Sequence, residues 1–428
     1  MLGAYTPDGR PQDVRRVAVL SLHTSPLAQP GGGDAGGMNV YVSQLCRHLA
    51  LFGVEVDVFT RVPENEPAHA VELAPGVTVH HLPAGPPEAT KNDLAAFVPQ
   101  LTRAIARHYH DAAAPDAVHS HYWVSGLAGL ALRAEWSVPL VHTMHTLARV
   151  KLREDPQAAE PPARLDAEDR LAAEADVLTA NTPTECQELR DLYGASPDKI
   201  AVVPPGVERT IFRADGPDRW LEADDGRAAP GRPLRILFAG RIQRLKGPHI
   251  LLEALQRVRE IDPLGRYEAV LIGQHSGPDE LDLERLLPST SGPVTARLLE
   301  PMPPAELASW FRGADVVAVP SYSESFGLVA AEAQACGTPV LANLVGGLRH
   351  IVHDGVTGRH VVGQTPEAWA EALATLGDHR DALAQWGRQA AVHADRFDWN
   401  QAARTVLSLY RSHAVADLAL LGFTPCHH

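Results

Sequence analysis

Two hydrophobic patterns alternate along this chain. "RVAVLSL" (Arg16–Leu22) is a continuous apolar, β-branched run of the kind buried on both faces of a sheet. Beyond Met38, the residues Val40, Val42, Leu45, Leu49 and Leu51 recur near helical spacing, and "GVEVDVFT" (Gly53–Thr60) reads as a second strand. Strand, loop, helix, strand is a βαβ unit. The alternation continues through "AVHSHYW" (Ala117–Trp123), "PLVHTMHT" (Pro139–Thr146), "DVLTANT" (Asp176–Thr182) and "IAVVPPG" (Ile200–Gly206). After a linker-like stretch, "PPGVERTIFRADGP", a second series opens with "RILFAGR" (Arg235–Arg241) and runs through "EAVLIG", "ADVVAVPS", "TPVLANLVGG" and "GRHVVG". Two successive parallel-sheet series predict two doubly wound α/β domains with a cleft between them. The expected division is a disordered extension over 1–15, a first domain over 16–205 and a second over 206–395. A C-terminal helix over 396–420 is expected to return to the first domain, followed by a tail over 421–428. Asp155–Pro162 and Asp224–Arg232 read as loops.

Composition narrows the class. A chain of 428 residues is long for one core, and 45% hydrophobic content without a long apolar span predicts a soluble protein with no membrane helix. Met1–Val14 is polar and carries no apolar stretch resembling a signal peptide. The four cysteines (Cys46, Cys186, Cys336, Cys426) never fall at CxxC spacing, which fits a reducing cytoplasm and no structural zinc. A net charge of −14 argues against broad nucleic-acid or anionic-membrane binding. It makes clustered Arg and Lys beside glycines more telling.

Three stretches carry candidate chemistry. In "QPGGGDAGGMNVYV" (Gln29–Val42) glycines crowd in front of a helix, where unpaired amides and the helix dipole attract anions and glycine lets the backbone approach a phosphate. The loop matches neither GxGxxG in the dinucleotide register nor GxxxxGK[ST], and a flexible surface loop is the alternative reading. "FAGRIQRLKGPHILLEAL" places Arg241 and Lys246 between a strand and a helix, which suits a diphosphate, with solvated surface charge as the alternative. In "SYSESFGLVAAEAQACGTP", Glu324 falls in a loop and Glu332 inside the following helix; carboxylates at a sheet's carboxyl edge can accept hydrogen bonds from sugar hydroxyls. Capping would explain Glu324 but not Glu332. Four histidines (His119, His121, His142, His145) sit at two strand ends. With no Cys, Asp or Glu at ligand spacing, contacts by one or two of them to a ligand are favoured over a metal site. No GxSxG elbow is present.

Together these residues resemble the retaining glycosyltransferases of family four, whose GT-B architecture is two facing Rossmann-like domains. The pair Glu324 and Glu332 matches the E-x7-E signature, "GRIQRLKG" is family-wide, and the match runs from Arg16 to about Tyr410. "SLHTSPLAQPGGGDAGGMNVYV", "AGP", "HSHYWVSG" and "HTMHTLARVK" are similar to the members that open mycothiol synthesis in actinobacteria. The resemblance implies transfer of N-acetylglucosamine from UDP-N-acetylglucosamine to 1D-myo-inositol 3-phosphate with retention at the anomeric carbon, in the cytoplasm and by a homodimer.

The resemblance also implies roles. Gly37 would present its amide to the donor diphosphate, with Gln29 and Pro30 touching the donor. Asp34, Ala35, Gly36, Met38 and Asn39 would line the acceptor, with His23 beside them and Gly37 shared between both ligands. Lys91, Tyr122, Thr146 and Arg164 would hold the acceptor phosphate; neither Lys91 nor Arg164 shows an obvious acidic neighbour at helix spacing. Arg241 and Lys246 would bind the diphosphate, Glu324 the sugar hydroxyls and Glu332 the ribose, with His145 near the sugar. A structural Mg²⁺ would lie at Phe311, Arg312, Ala314 and Thr338, whose backbone oxygens suit a hard cation. Met302 in "EPMPP" stands where arginine occurs in a relative, so a uracil contact there would run through the backbone. "LIGQ" replaces a more usual double glycine.

No carboxylate is placed to act as a nucleophile beneath the anomeric carbon. Front-face transfer is therefore expected, with Arg241, Lys246 and the Gly37 amide stabilising the leaving group and the departing phosphate deprotonating the acceptor. Domain closure would exclude water. Two alternatives stay open: a family-four enzyme with another phosphorylated acceptor, such as a sucrose-phosphate synthase-like one, or a non-catalytic nucleotide-sugar sensor.

Overall fold

The apolar runs become strands. The first unit holds β1 (Arg16–Leu20), β2 (Glu55–Val62), β3 (His69–Ala74), β4 (Val77–Pro83), β5 (Ala117–His121), β6 (Leu140–Thr143), β7 (Val177–Ala180) and β8 (Ile200–Val202). They form one sheet in the order β3-β4-β2-β1-β5-β6-β7-β8. Its pairings are parallel except for β3 against β4. The structure is a computed structural model, and it describes residues 14–31, 35–90, 93–154, 159–220, 231–276, 281–288 and 291–412.

Both faces of this sheet are covered, which is why β1 has no polar alternation. Ala18 and Leu20 pack on one side with Trp123, Leu140 and Leu171, while Val17 and Val19 pack on the other with Leu45, Leu49 and Val406. The second layer includes the helix Trp399–Ser412, whose Trp399 and Tyr410 are buried against the first unit. That unit comprises the chain up to Ala28, Gly37–Pro205 and the segment from Trp399 onward.

The second unit, from Gly206 to Asp398 with Gln29–Gly31 and Ala35–Gly36, holds β9 (Leu234–Ala239), β10 (Tyr267–Ile272), β11 (Val294–Leu299), β12 (Val316–Val319), β13 (Val340–Asn343) and β14 (Gly358–Val361). These form a six-stranded, wholly parallel sheet ordered β11-β10-β9-β12-β13-β14. Leu237, Val270 and Val317 fill one face and Ile236, Phe238 and Leu271 the other. In both sheets the order reverses beside the first strand, and the residues following those strands at the carboxyl edge are the ones a ligand meets.

Two local differences from the sequence expectation have physical causes. The run Ala117–Trp123 is strand only to His121, because Tyr122 adopts φ 71° and starts a helix, Tyr122–Trp136. The hairpin β3–β4, turning at Gly76 with φ 81°, is largely exposed on β3 and so lacks a buried strand's pattern. Cys46 and Cys336 are buried free thiols. Asp155–Ala158 within the first expected loop and most of the second lie outside the described residues.

Candidate functional site

At the carboxyl edge of the first sheet, buried polar side chains replace the apolar core. Ser21 Oγ donates to Thr24 O at 2.7 Å, and Asn39 Nδ2 donates to Thr24 Oγ1 at 2.8 Å and to Ser25 O at 2.6 Å. These bonds fix the loop that precedes the helix Gly37–Leu51. Asn39 is thus a buried brace for the loop. Gly37, the first residue of that helix, is exposed, as an anion-binding amide must be. Met38 is partly buried against both core layers. Asp34 and Lys91 lie outside the described residues.

Two residues at this edge hold left-handed backbone without being glycine: Tyr122 after β5 and His145 after β6, at φ 71° and 62°. Each such conformation costs on the order of 1–3 kcal/mol, and such strain concentrates where a fold aims side chains at ligands. The Tyr122 ring lies 4.3 Å from the His23 ring, tilted by 41°, and 5.0 Å beneath the Arg164 guanidinium. His145 Nε2 meets His121 Nδ1 at 2.9 Å. Burial, with the neighbouring histidines adding to it, pushes His121 and His145 well below the usual imidazole range, and burial brings His119 and His142 to about 3. All four are neutral near pH 7. Among the described residues they do not bring three metal-ligating atoms within mutual reach.

His119 and His142 serve the interior. His119 Nδ1 meets Tyr410 Oη at 2.7 Å and its Nε2 meets Thr143 Oγ1 at 2.9 Å, while His142 Nδ1 meets Ser120 Oγ at 2.7 Å. His121 and His145 instead pair with each other, beside the Tyr41 ring.

Arg164 departs from expectation. Its guanidinium is 1% exposed and is neutralised on both sides, by Glu160 four residues before it (Nη1 to Oε2, 2.7 Å) and Glu168 four residues after it (Nε to Oε1, 2.7 Å). The acidic neighbours at helix spacing are therefore present. Nη2 donates to Thr146 O and Thr146 Oγ1, both at 3.0 Å. Glu160 is shared with Lys151 at 2.9 Å, and Glu168 accepts from Tyr193 Oη at 2.5 Å. Arg164 is the hub of a buried network that positions Thr146 and Tyr122. Lys151, Glu160 and Glu168 were missed by sequence reasoning, although the spacing of the two glutamates around Arg164 carried a signal.

In the second unit the turn after β9 is built by glycine. Gly247 has φ 69°, and a Cβ there would lie 2.1 Å from Pro320 O. The close approach seats the turn Arg244–Lys246 beside the loop after β12, and Lys246 Nζ meets Glu324 Oε2 at 2.5 Å. Glu324 is fixed from behind: Gly347 N donates to Glu324 O at 2.8 Å, and a Cβ on Gly346 would come within 2.1 Å of that oxygen. The structure thus joins two residues that the sequence assigns to different parts of one ligand. A Cβ placed on Gly36 would lie 3.4 Å from Arg241 Nε, so the end of the glycine loop borders that cation. Gln29 Nε2 donates to Met302 O at 3.0 Å, and Pro30 lies beside it in sequence. This bond makes the Met302 backbone, not its side chain, the polar feature at that position.

Glu332 lies in the helix Leu328–Ala335, 8% exposed, and burial pushes its carboxyl up to about 8. Desolvation alone drives that shift. Farther along, Thr338 Oγ1 donates to Phe311 O at 2.6 Å at the end of the helix Pro304–Gly313, with Ala314 N on the same carbonyl at 3.1 Å. Arg312 turns its guanidinium to Pro217 O and Arg213 O.

The chain matches two family profiles, a Glycosyl transferase 4-like domain over residues 36–206 and Glycosyl transferases group 1 over residues 222–393. It is 46% identical over 419 residues to a D-inositol 3-phosphate glycosyltransferase of Kribbella flavida, covering 95% of this chain and 97% of that protein. A protein of the same name from Arthrobacter sp. is 46% identical over 411 residues, covering 94% and 96%. Among solved structures, a sucrose-phosphate synthase from Thermosynechococcus elongatus superposes with a TM-score of 0.81 at 30% identity, covering 93% of this chain and 98% of that one. The two parallel-sheet domains and their carboxyl-edge residues therefore have a definite kinship: the chain belongs to the group 1 glycosyltransferases, in the family of the D-inositol 3-phosphate glycosyltransferases.

Proposed function

We propose that this enzyme transfers N-acetylglucosamine from UDP-N-acetylglucosamine to 1D-myo-inositol 3-phosphate, with retention, as the first step of mycothiol synthesis in the cytoplasm. The observation that carries the reading is the 46% identity across 95% of the chain to a protein named for this acceptor. The geometry supports it. Within the second unit, Arg241 and Lys246 offer positive charge suited to a departing diphosphate, whose growing charge is the usual target of such donors; within the first, Gly37 is exposed at a helix start, where an amide suits the same kind of group. Glu324, held by its own backbone carbonyl, is suited to sugar hydroxyls, and Glu332 to the ribose. Thr146 and Tyr122, positioned by the Arg164 network, are suited to the acceptor, with a neutral His145 near the sugar.

No carboxylate is assigned as a nucleophile, so the reaction proceeds on one face of the sugar: the bond to the diphosphate breaks, the acceptor oxygen attacks from the same side, and its proton passes to the leaving phosphate. The oxygens at Phe311, Arg312, Ala314 and Thr338 are of the kind a hard cation takes, at the carboxyl end of a helix, but Phe311 O already accepts from Thr338 Oγ1 and Ala314 N, bonds that an ion there would have to replace. Mg²⁺ held there would be structural, neutralising those carbonyls.

Incubation with UDP-N-acetylglucosamine, with and without inositol 3-phosphate, tests the proposal. Acceptor-dependent UDP release with an α-linked product is expected. A requirement for fructose 6-phosphate instead would favour the sucrose-phosphate synthase-like alternative, and binding without turnover would favour a sensor.

A further inference from the structure

On the first unit, away from the residues assigned above, Asp57 of β2, His80 of β4 and His108 at the end of the helix Val98–His108 bring their ligating atoms within 4.8 Å of one another. We propose that these three side chains form a binding site for a divalent transition-metal ion of the Zn²⁺ type. It is the only such group among the described residues.

The arrangement has the parts that such a site requires. Asp57 Oδ1 and His80 Nε2 stand 2.9 Å apart, sharing a proton that a cation would replace as the bridge between them. Ligands at about 2.0–2.1 Å from a tetrahedral Zn²⁺ lie about 3.3 Å from each other. This pair is already close to that spacing, and the exposed His108 has room to close the remainder. A neutral imidazole carries one unprotonated ring nitrogen, so the exposed His108 has a lone pair to offer. The other carboxylate oxygen is held by Tyr109 Oη at 2.9 Å, the outer-shell bond that orients a ligating carboxylate. Phe59 stacks at 5.1 Å on the His80 ring and fixes its plane.

Charge does not forbid a cation. Arg16 Nε lies 3.9 Å from Asp57 Oδ2, but its guanidinium is bound by Glu55 at 2.5 Å, leaving one net negative charge across Arg16, Glu55 and Asp57. Two imidazoles with one carboxylate select transition ions over Mg²⁺ or Ca²⁺, which prefer all-oxygen sites. Asp57 is buried, His80 half-buried and His108 exposed, so an ion would keep an open side to water.

Equilibrium dialysis of the chelator-stripped full chain against Zn²⁺ provides the test. One bound ion per chain is expected, insensitive to excess Mg²⁺. The exposed His108→Ala substitution should weaken binding at least about tenfold, and Tyr109→Phe, which keeps every ligand, should weaken it about 10–100-fold as outer-shell losses do. Co²⁺ should give a visible spectrum that His108→Ala abolishes. Equal Zn²⁺ binding by wild type and His108→Ala, or none by the wild type, would overturn the proposal.

Discussion

Lys246 Nζ and Glu324 Oε2 meet at 2.5 Å, joining the turn after β9 to the loop after β12 across 78 residues of sequence. The cation assigned to the diphosphate and the carboxylate assigned to the sugar form an ion pair with each other. Both side chains remain about one-fifth exposed, so the pair contributes little to folding and much to the placement of two groups.

Lys246→Ala and Arg241→Ala are therefore expected to lower kcat at saturating donor by two to three decades, equivalent to about 2.7–4 kcal/mol of lost charge stabilisation. Thermal unfolding should change little for either variant. Steady-state kinetics beside a melting curve checks both halves, and wild-type turnover by either variant would remove that residue from the mechanism.

Glu324→Gln should impair transfer while UDP still binds, whereas Glu332→Gln should weaken UDP itself. The first carboxylate is assigned to the sugar and the second to the ribose, and UDP carries only the latter. Calorimetry with UDP alone separates the two variants; equal affinities would count against the division of roles.

Glu332 also has a pH signature. Burial raises its folded-state value to about 8, above the unfolded carboxylate value, so the folded chain holds this proton more tightly. Its stabilising effect is complete below about pH 4.3 and is lost as pH rises to about 8, with a slope of up to about 1.4 kcal/mol per pH unit. The difference in unfolding free energy between wild type and Glu332→Gln should fall across that window. A difference independent of pH would show that Glu332 is ionised when folded.

Arg164 belongs to folding as much as to recognition. Removing it leaves Glu160 and Glu168 without their shared cation, and breaking a buried pair costs about 3–5 kcal/mol. Arg164→Ala should lower the urea midpoint sharply. Thr146→Val, which leaves the ion pairs intact, should instead reduce acceptor use with little change in stability. An unchanged midpoint in Arg164→Ala would mean the network is not structural.

Much of this was legible in the sequence. The doubly wound pattern, the glycine loop, and the residues Arg241, Lys246, Glu324 and Glu332 all show in local spacing and strand ends. What sequence hides is long-range pairing and backbone strain. Nothing in "HSHYW" or "HTMHT" announces that Tyr122 and His145 take positive φ, because residues in contact with them across the fold enforce it. The meeting of Lys246 with Glu324 needs the close approach at Gly247, set by Pro320 seventy-three residues away. The Glu160–Arg164–Glu168 spacing was visible, but Glu160 precedes the helix Pro162–Glu174 and so falls outside the helical register that would have drawn attention to it.

Whether the acceptor is a phosphorylated inositol is tested most directly by comparing kcat/KM for inositol 3-phosphate with that for free myo-inositol at saturating UDP-N-acetylglucosamine. A phosphate held by charged and hydrogen-bonding groups is worth about 2–5 kcal/mol, so the phosphorylated acceptor should be preferred by about thirtyfold or more. Equal use of the two acceptors would contradict both the assigned substrate and the role given to Thr146 and its neighbours.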